Sequence, residues 1–230
     1  MSIILTHNMK IYEVFPTVVV QDTIDDHQKF KSLYFEELKL QWFNGYKNET
    51  PENSGRCSLQ LNEDYLPFFK SLVKCVRNYL DVLEIDHHKL NINVTKAWVG
   101  YHNKDIPPLK RHIHNGADIS FCYYISSDKS SDKLCVHNKD NMNELSKGMF
   151  ETSDRFNLIK KFNKYNCESY TITPHEGTVV LFPSKLIHST LKKDNLGDRY
   201  VIAGDIKLCL KEHFNLHHQS VPHPSKWLSL

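Results

Sequence analysis

The sequence predicts a mainly β domain with flanking α-helices, of the double-stranded β-helix class (a jelly roll, cupin-like). From about residue 90 onward, apolar residues fall in short runs with a period of two, and turn residues separate the runs. Before that point, apolar residues recur at every third and fourth position, as on one face of a helix. One long polar insertion interrupts the late strands, which is compatible with a jelly roll.

The N-terminal part is expected to support the sheet. Residues 11–20 predict an edge strand, because Pro16 is tolerated at a sheet edge. Residues 22–41 predict a helix with a rough apolar stripe, and 64–83 predict a second helix with a clear one. Pro67 falls in the first turn of that second helix, where a missing N–H does no harm. Both helices should pack on one sheet.

The remaining strands follow the helices. They are predicted at 90–101, 110–114, 119–126, 133–137, 168–173, 177–182, 188–191 and 199–208. Trp98 and Phe182 are expected in the core. The polar insertion covers 138–166, with a helix expected around 154–162.

The domain organisation follows from these elements. We expect a single domain over 1–230, with a support region at 1–89, a jelly-roll core at 90–210 and a C-terminal arm at 211–230. The 230 residues are 40% apolar, which is enough to bury a core.

Composition narrows the class of protein. Net charge is only +2, which argues against a dedicated nucleic-acid binder. The six cysteines form no C-x-x-C pair, the N-terminus has no apolar leader, and no apolar run is long enough to span a bilayer. The sequence therefore predicts a cytoplasmic protein with reduced thiols and no membrane partner.

A candidate metal site lies at His112 and His114. On a β-strand alternate side chains share a face, so these two imidazoles should point the same way. His188, which follows a buried strand and a turn, can supply a third. Imidazole suits iron, copper, zinc and nickel. The alternative is a pair of ordinary surface histidines, because H-x-H alone is weak evidence in a chain with 14 histidines.

The residues also fit a particular chemistry. Fe(II) that activates O2 needs about three protein ligands on one octahedral face. A 2-oxo acid chelates such an iron and leaves a distant carboxylate free. The planar guanidinium of Arg199 can bind that carboxylate with two hydrogen bonds. Ser120 and Tyr124 share a face of one strand, and the tyrosine hydroxyl can add a hydrogen bond. The alternatives are a surface salt bridge for Arg199 and core packing for Tyr124.

These motifs resemble the Fe(II)/2-oxoglutarate-dependent oxygenases from about Trp98 to Leu208. The P-x-x-x-H-x-H, Y-Y, P-x-x-G-x-x-x-L-F-P-S-x-x-x-H and R-Y-x-I patterns are most similar to the 2-oxoglutarate-Fe(II) oxygenases of bacteria and phages, with a prolyl-hydroxylase-like core. The resemblance implies Fe(II) and 2-oxoglutarate as cofactors. It also implies O2-dependent hydroxylation of an unactivated C–H bond in a peptidyl or small-molecule substrate.

The resemblance further implies roles for individual residues. The metal ligands would be His112, His114 and His188. The 2-oxoglutarate site would contain Arg199 and Tyr124, with Ser120 and Tyr101 as additional candidates.

One departure from the pattern leaves alternatives open. The superfamily has an aspartate where this chain has His114, and a third neutral ligand leaves Fe(II) with its full charge. Asp118 ranks below His114 as a ligand, because the strand would have to bend. The rival functions are a three-histidine dioxygenase that needs no 2-oxo acid, or another cupin-like metal enzyme, and a non-catalytic jelly-roll binding protein.

Overall fold

The computed structural model describes residues 10–47, 58–103, 105–127, 133–139, 142–146, 148–150, 159–191 and 197–212. The helices are α1 (His27–Lys47) and α2 (Leu66–Val82). The strands are β1 (Val20–Thr23), β2 (Leu90–His102), β3 (Ile119–Ser126), β4 (Leu134–His137), β5 (Ser169–Ile172), β6 (Thr178–Pro183), β7 (His188–Thr190) and β8 (Arg199–Leu210). Short 3-10 helices cover Leu59–Leu61, Glu63–Tyr65 and His87–Lys89.

The strands form two antiparallel sheets. The larger has the order β1-β6-β3-β8-β2, and the smaller has the order β5-β4-β7. Side chains from both sheets pack into one apolar cluster, in which Tyr124, Val180 and Val201 of the larger sheet meet Leu134 and Val136 of the smaller. The chain is therefore a double-stranded β-helix, and the predicted fold class is confirmed.

Strand alternation divides the larger sheet into two faces. On β8, Tyr200, Ile202 and Ile206 belong to the large core beneath the helices. The intervening residues, Arg199, Val201 and Asp205, therefore point into the space between the sheets. This inner face carries the candidate site.

The helices cover the outer face, as expected. Helix α2 buries a regular stripe that includes Phe68, Leu72 and Val76. Helix α1 is less regular than predicted, since Leu33 and Leu40 lie on its exposed side. It also begins at His27 rather than near residue 22, because Val20–Thr23 instead pair with β6 as an edge strand.

Three further expectations differ from the structure or lie beyond it. Of the predicted edge strand 11–20, only Val20 belongs to a strand, and residues 11–17 are exposed. The predicted strand 110–114 is reduced to a single bridge, between His112 and His188. Of the helix expected around 154–162, residues 159–162 are not helical and the rest lie outside the described residues. The division of the domain stays a prediction, since 213–230 also lie outside them.

No helix in the described ranges combines the length and apolar character needed to cross a bilayer.

Candidate metal centre

The backbone brings His112 and His188 together. Their peptide groups exchange two hydrogen bonds of 3.0 Å, so they form an antiparallel pair. The next bond along joins the amide of His114 to the carbonyl of Ser184, also at 3.0 Å. The segment 112–114 therefore lies against the turn that links β6 to β7. Both ligand candidates of the H-x-H motif are fixed beside the third by main-chain contacts.

The three imidazoles face one another. Ring centroids are 4.2 Å apart for His112 and His188, 5.0 Å for His114 and His188, and 5.4 Å for His112 and His114. One nitrogen from each ring lies within 4.8 Å of the other two. An ion bound at about 2.1 Å from each nitrogen would hold any two of them no more than about 4.2 Å apart, so small rotations of the rings would close the cluster around it. His188 is buried and the other two are half-buried.

Hydrogen bonds determine which nitrogen of each ring is available. The Nδ1 atom of His112 lies 2.7 Å from the carbonyl oxygen of Lys110, and that of His188 lies 2.9 Å from the carbonyl oxygen of Leu186. A carbonyl oxygen only accepts, so each Nδ1 carries the proton and each Nε2 keeps its lone pair. The rings are thus arranged as neutral Nε2 ligands.

The third ring has a charged partner instead. Nδ1 of His114 donates to Oδ1 of Asp205 at 2.5 Å, and this carboxylate is 5% exposed. Its Nε2 is therefore also available as a ligand. The donor set of three imidazole nitrogens fits a first-row divalent ion such as Fe(II).

The environment keeps His188 in its ligand form. Burial, followed by the nearby His112, His114 and His137, lowers the pKa of His188 from 6.5 to about 4, although the carbonyl of Leu186 acts in the opposite direction. The ring is therefore neutral at physiological pH, when its Nε2 lone pair can bind a metal.

The structure does not place Asp118 in this cluster. Its Oδ1 accepts from the ammonium of Lys207 at 2.9 Å, and its Oδ2 accepts from the amide of Leu208 at 2.8 Å. Both oxygens are engaged in tying the turn to β8. Among the described residues, the group able to hold an ion consists of the three histidines.

A buried cation lies on the same inner face. Arg199 is 5% exposed, and its guanidinium carbon is 5.9 Å from the ring centroid of Tyr124. His102 is directly opposite Arg199 in the β2–β8 register. Burial and the guanidinium charge lower the pKa of His102 to about 4, so this imidazole stays neutral. The guanidinium of Arg199 is therefore a single positive charge buried away from solvent, which suits recognition of a carboxylate.

Two other sequence-derived candidates lie elsewhere or have other contacts. Ser120 is buried, with its hydroxyl 3.2 Å from Oδ1 of Asp205 and 2.9 Å from the hydroxyl of Ser184. Tyr101 is on the opposite face of the sheet, where its ring stacks on Tyr200 and its hydroxyl donates to Asp198 at 2.6 Å. The structure does not bring Tyr101 to the histidines.

Sequence reasoning missed three residues of the inner face. Trp98, a predicted core residue, instead lies beside the site, with its ring centroid 5.6 Å from that of His114. The sequence motifs do not single out the other two, Asp205 and His102. Strand alternation alone assigns Asp205 to the face of Arg199 on β8 and His102 to the face of Trp98 on β2.

The chain is similar to several solved structures at low sequence identity. AviO1 from Streptomyces viridochromogenes Tue57 is 10% identical, with a TM-score of 0.53 over 83% of this chain and 90% of that chain. HygX from Streptomyces hygroscopicus, solved with nickel and 2-oxoglutarate, is 14% identical, with a TM-score of 0.48 over 83% of each chain. A viral collagen prolyl hydroxylase from Paramecium Bursaria Chlorella virus-1 is 12% identical, with a TM-score of 0.47 over 87% of this chain and 97% of that chain. At these identities, the similarity to AviO1 concerns the fold.

The fold and the three-histidine cluster together define a double-stranded β-helix with a candidate centre for a divalent metal. Residues 96–205 match the family model described as "Putative 2OG-Fe(II) oxygenase", where 2OG is 2-oxoglutarate. No curated protein sequence matches the chain. Residues 96–205 are thus similar to the 2-oxoglutarate-Fe(II) oxygenases, as the sequence motifs predicted. This match and the three-histidine cluster together indicate Fe(II) as the cofactor, with 2-oxoglutarate and O2 as cosubstrates.

Proposed function

We propose that the protein is a hydroxylase in which His112, His114 and His188 hold Fe(II) through their Nε2 atoms. One observation carries the assignment: one nitrogen from each of the three imidazoles lies within 4.8 Å of the other two, and the Nδ1 of each ring is engaged by an oxygen acceptor. Bound iron supplies the activation of O2 that couples 2-oxoglutarate decarboxylation to substrate oxidation. The protein contributes binding, orientation and shielding.

Arg199 is the proposed partner of the distal carboxylate of 2-oxoglutarate. Its guanidinium is buried on the inner face, where a charge–charge contact is stronger than in water. Tyr124 lies beside it and can add a hydroxyl donor. His102 is neutral there, so it can donate an N–H without adding a second cation. The bidentate grip of Arg199 would fix the orientation of the cosubstrate.

For the substrate we propose a peptide or small molecule with an apolar part. Support comes from apolar side chains on the segments that carry the ligands. Leu109 is 51% exposed, Ile113 is 43% exposed and Leu191 is 39% exposed. Leu109 is joined to Thr190 by backbone and side-chain hydrogen bonds, so Leu109 and Leu191 lie at the same edge of the small sheet. The near-neutral net charge does not favour a nucleic acid.

We also propose a cytoplasmic location. The cysteines of the described residues, Cys75, Cys122, Cys135, Cys167 and Cys209, are all free thiols. Free thiols are typical of a reducing compartment.

A three-histidine dioxygenase that needs no 2-oxo acid is the second candidate. The observation that favours it is the ligand set itself, because none of the three proposed ligands is a carboxylate. The two functions differ in whether Arg199 matters. Only a 2-oxoglutarate-dependent enzyme uses this buried cation to hold a cosubstrate.

The test is an anaerobic titration of the Fe(II)-loaded protein with 2-oxoglutarate, followed by the visible metal-to-ligand charge-transfer absorption. We expect the band to appear and to saturate in the wild type. Arg199→Ala should require at least about 30-fold more 2-oxoglutarate, since truncating one partner of a buried charge pair costs about 2 kcal/mol or more.

Arg111→Ala is the matched control, because Arg111 forms an exposed ion pair with Glu168 and should leave the titration unchanged. Iron binding without the band, and with no effect of Arg199→Ala, would favour the second candidate. A wild type that binds no iron would favour a non-catalytic protein.

A further inference from the structure

Asp205 is a buried carboxylate directed at one of the proposed ligands. Its Oδ1 accepts from Nδ1 of His114 at 2.5 Å and lies 3.2 Å from the hydroxyl of Ser120. The Ser120 hydroxyl has one hydrogen, so when it donates to Asp205 it accepts from Ser184, 2.9 Å away. The side chains of Ser184, Ser120 and Asp205 are thus hydrogen-bonded in series, and the series ends at the His114 ring.

The other proposed ligands are held differently. The Nδ1 atoms of His112 and His188 donate to backbone carbonyls, which are neutral. In the described part of the chain, the ring that lies within ion-pair distance of the Asp205 carboxylate is that of His114. The negative charge is therefore directed at one ring of the three.

A charge in this position is costly unless something positive faces it. A buried carboxylate loses its hydration, and a neutral imidazole compensates for only part of that loss. A divalent ion on Nε2 of His114 would place positive charge on the far side of the same ring. Three neutral imidazoles leave the charge of such an ion undiminished, and Asp205 lies one hydrogen bond behind one of them.

We propose that Asp205 is a positioning residue of the metal centre, which holds the proton of His114 on Nδ1 and supplies, through that ring, the negative charge that an all-histidine ligand set lacks. The inference rests on the proposed function, because it requires His114 to be a ligand. It explains how a neutral side chain can occupy this ligand position: the carboxylate lies one hydrogen bond behind the ring. Such outer partners fix ring orientation and raise ligand basicity.

The test compares metal binding by the wild type, Asp205→Asn and Asp205→Glu, with Co(II) alone as the probe, by calorimetry and by visible spectra of the bound ion. Asp205→Asn should weaken Co(II) binding by about 10- to 100-fold and shift the visible bands of the residual complex. Asp205→Glu, which keeps the charge, should recover part of the affinity.

Asp118→Asn is the matched control, since this carboxylate is tied to Lys207 and Leu208 rather than to a ligand. It should lower stability and leave Co(II) affinity unchanged. If Asp205→Asn binds Co(II) as the wild type does, with the same spectrum, the inference is overturned while the metal centre stands. If the wild type binds no Co(II), the proposed function fails instead.

A second measurement does not depend on the variants folding. Nitrogen NMR of the metal-free wild type, labelled at histidine, should show His114 as the Nδ1–H tautomer with a strongly hydrogen-bonded proton. A proton on Nε2 of His114 would overturn the inference.

Discussion

The peptide groups of His112 and His188 exchange both of their hydrogen bonds, each 3.0 Å long. This pairing joins two segments that are far apart in the sequence, at a point where the chain is otherwise irregular. The positions of two proposed ligands are thus set by main-chain bonds. Metal binding and the closure of this sheet edge should therefore support each other.

Metal should stabilise the protein through the three histidines. Mn(II) at about 100 times its dissociation constant should raise the free energy of unfolding by about 2.7 kcal/mol. For a domain of this size that corresponds to roughly 5–10 °C in Tm. His112→Ala and His188→Ala should each lose most of this gain, as measured by thermal unfolding with and without Mn(II). His175→Ala removes an exposed histidine outside the cluster, so this variant should keep the full stabilisation by Mn(II).

The two tyrosine candidates should behave differently. Tyr124→Phe should weaken 2-oxoglutarate binding by about 5-fold, the value of one hydrogen bond, because its ring lies beside Arg199. Tyr101→Phe should leave this binding unchanged and lower stability, because its hydroxyl bonds Asp198 on the other face. Binding is measured by the charge-transfer titration, and stability by urea unfolding. A larger effect of Tyr101→Phe on binding would place the cosubstrate elsewhere.

The contrast between these tyrosines shows what the sequence could predict. The strong alternation of 119–126 gave the bounds of β3, and the apolar run after Arg199 gave most of β8. The resemblance implies Tyr101 as a candidate for the 2-oxoglutarate site. Adjacent strand residues face opposite sides, however, and its neighbour His102 is the residue opposite Arg199.

Other features depend on tertiary pairing and could not be predicted from local patterns. Residues 110–114 alternate like a strand, yet only His112 finds a bridge partner, so no strand forms. The pairing of Asp205 with His114 joins residues on different segments. Alternation assigns Asp205 to a face, but only the packing of the two sheets shows that this face carries the histidines.

A close approach at Gly204 should make β8 sensitive to substitution. A Cβ at this position would lie 2.3 Å from the carbonyl oxygen of Lys96 and 2.5 Å from Cε1 of Phe121. Backbone cannot move away cheaply, so Gly204→Ala should cost about 3 kcal/mol or more. Gly116→Ala meets no atom within 4 Å, and its φ of +82° should cost only about 1 kcal/mol. Urea unfolding measures the free energy of unfolding of both variants. Equal losses of stability in the two would contradict the close contacts at Gly204.

Stability of the metal-free protein should fall on acidification. The pKa of His102 is lowered from 6.5 to about 4 by burial, followed by the charge of Arg199. Between these values the unfolded chain binds a proton that the folded chain does not, so stability decreases as pH falls from 6.5 towards 4. His102 contributes at most about 1.4 kcal/mol per pH unit to the slope of the free energy of unfolding against pH.

Urea unfolding at pH 7 and pH 5 measures this loss. His102→Gln should show a shallower loss than the wild type, because its side chain does not titrate. His175→Gln, at an exposed position, should behave as the wild type does. An unchanged slope in His102→Gln would mean that His102 is protonated in the folded protein.

A crystal structure of the protein grown anaerobically with Mn(II) and 2-oxoglutarate tests the central claim most directly. We predict one ion about 2.1 Å from the Nε2 atoms of His112, His114 and His188, with the distal carboxylate of 2-oxoglutarate on Arg199. An ion held by Asp118 or Asp205 in place of His114, or one bound away from the three rings, would contradict the account.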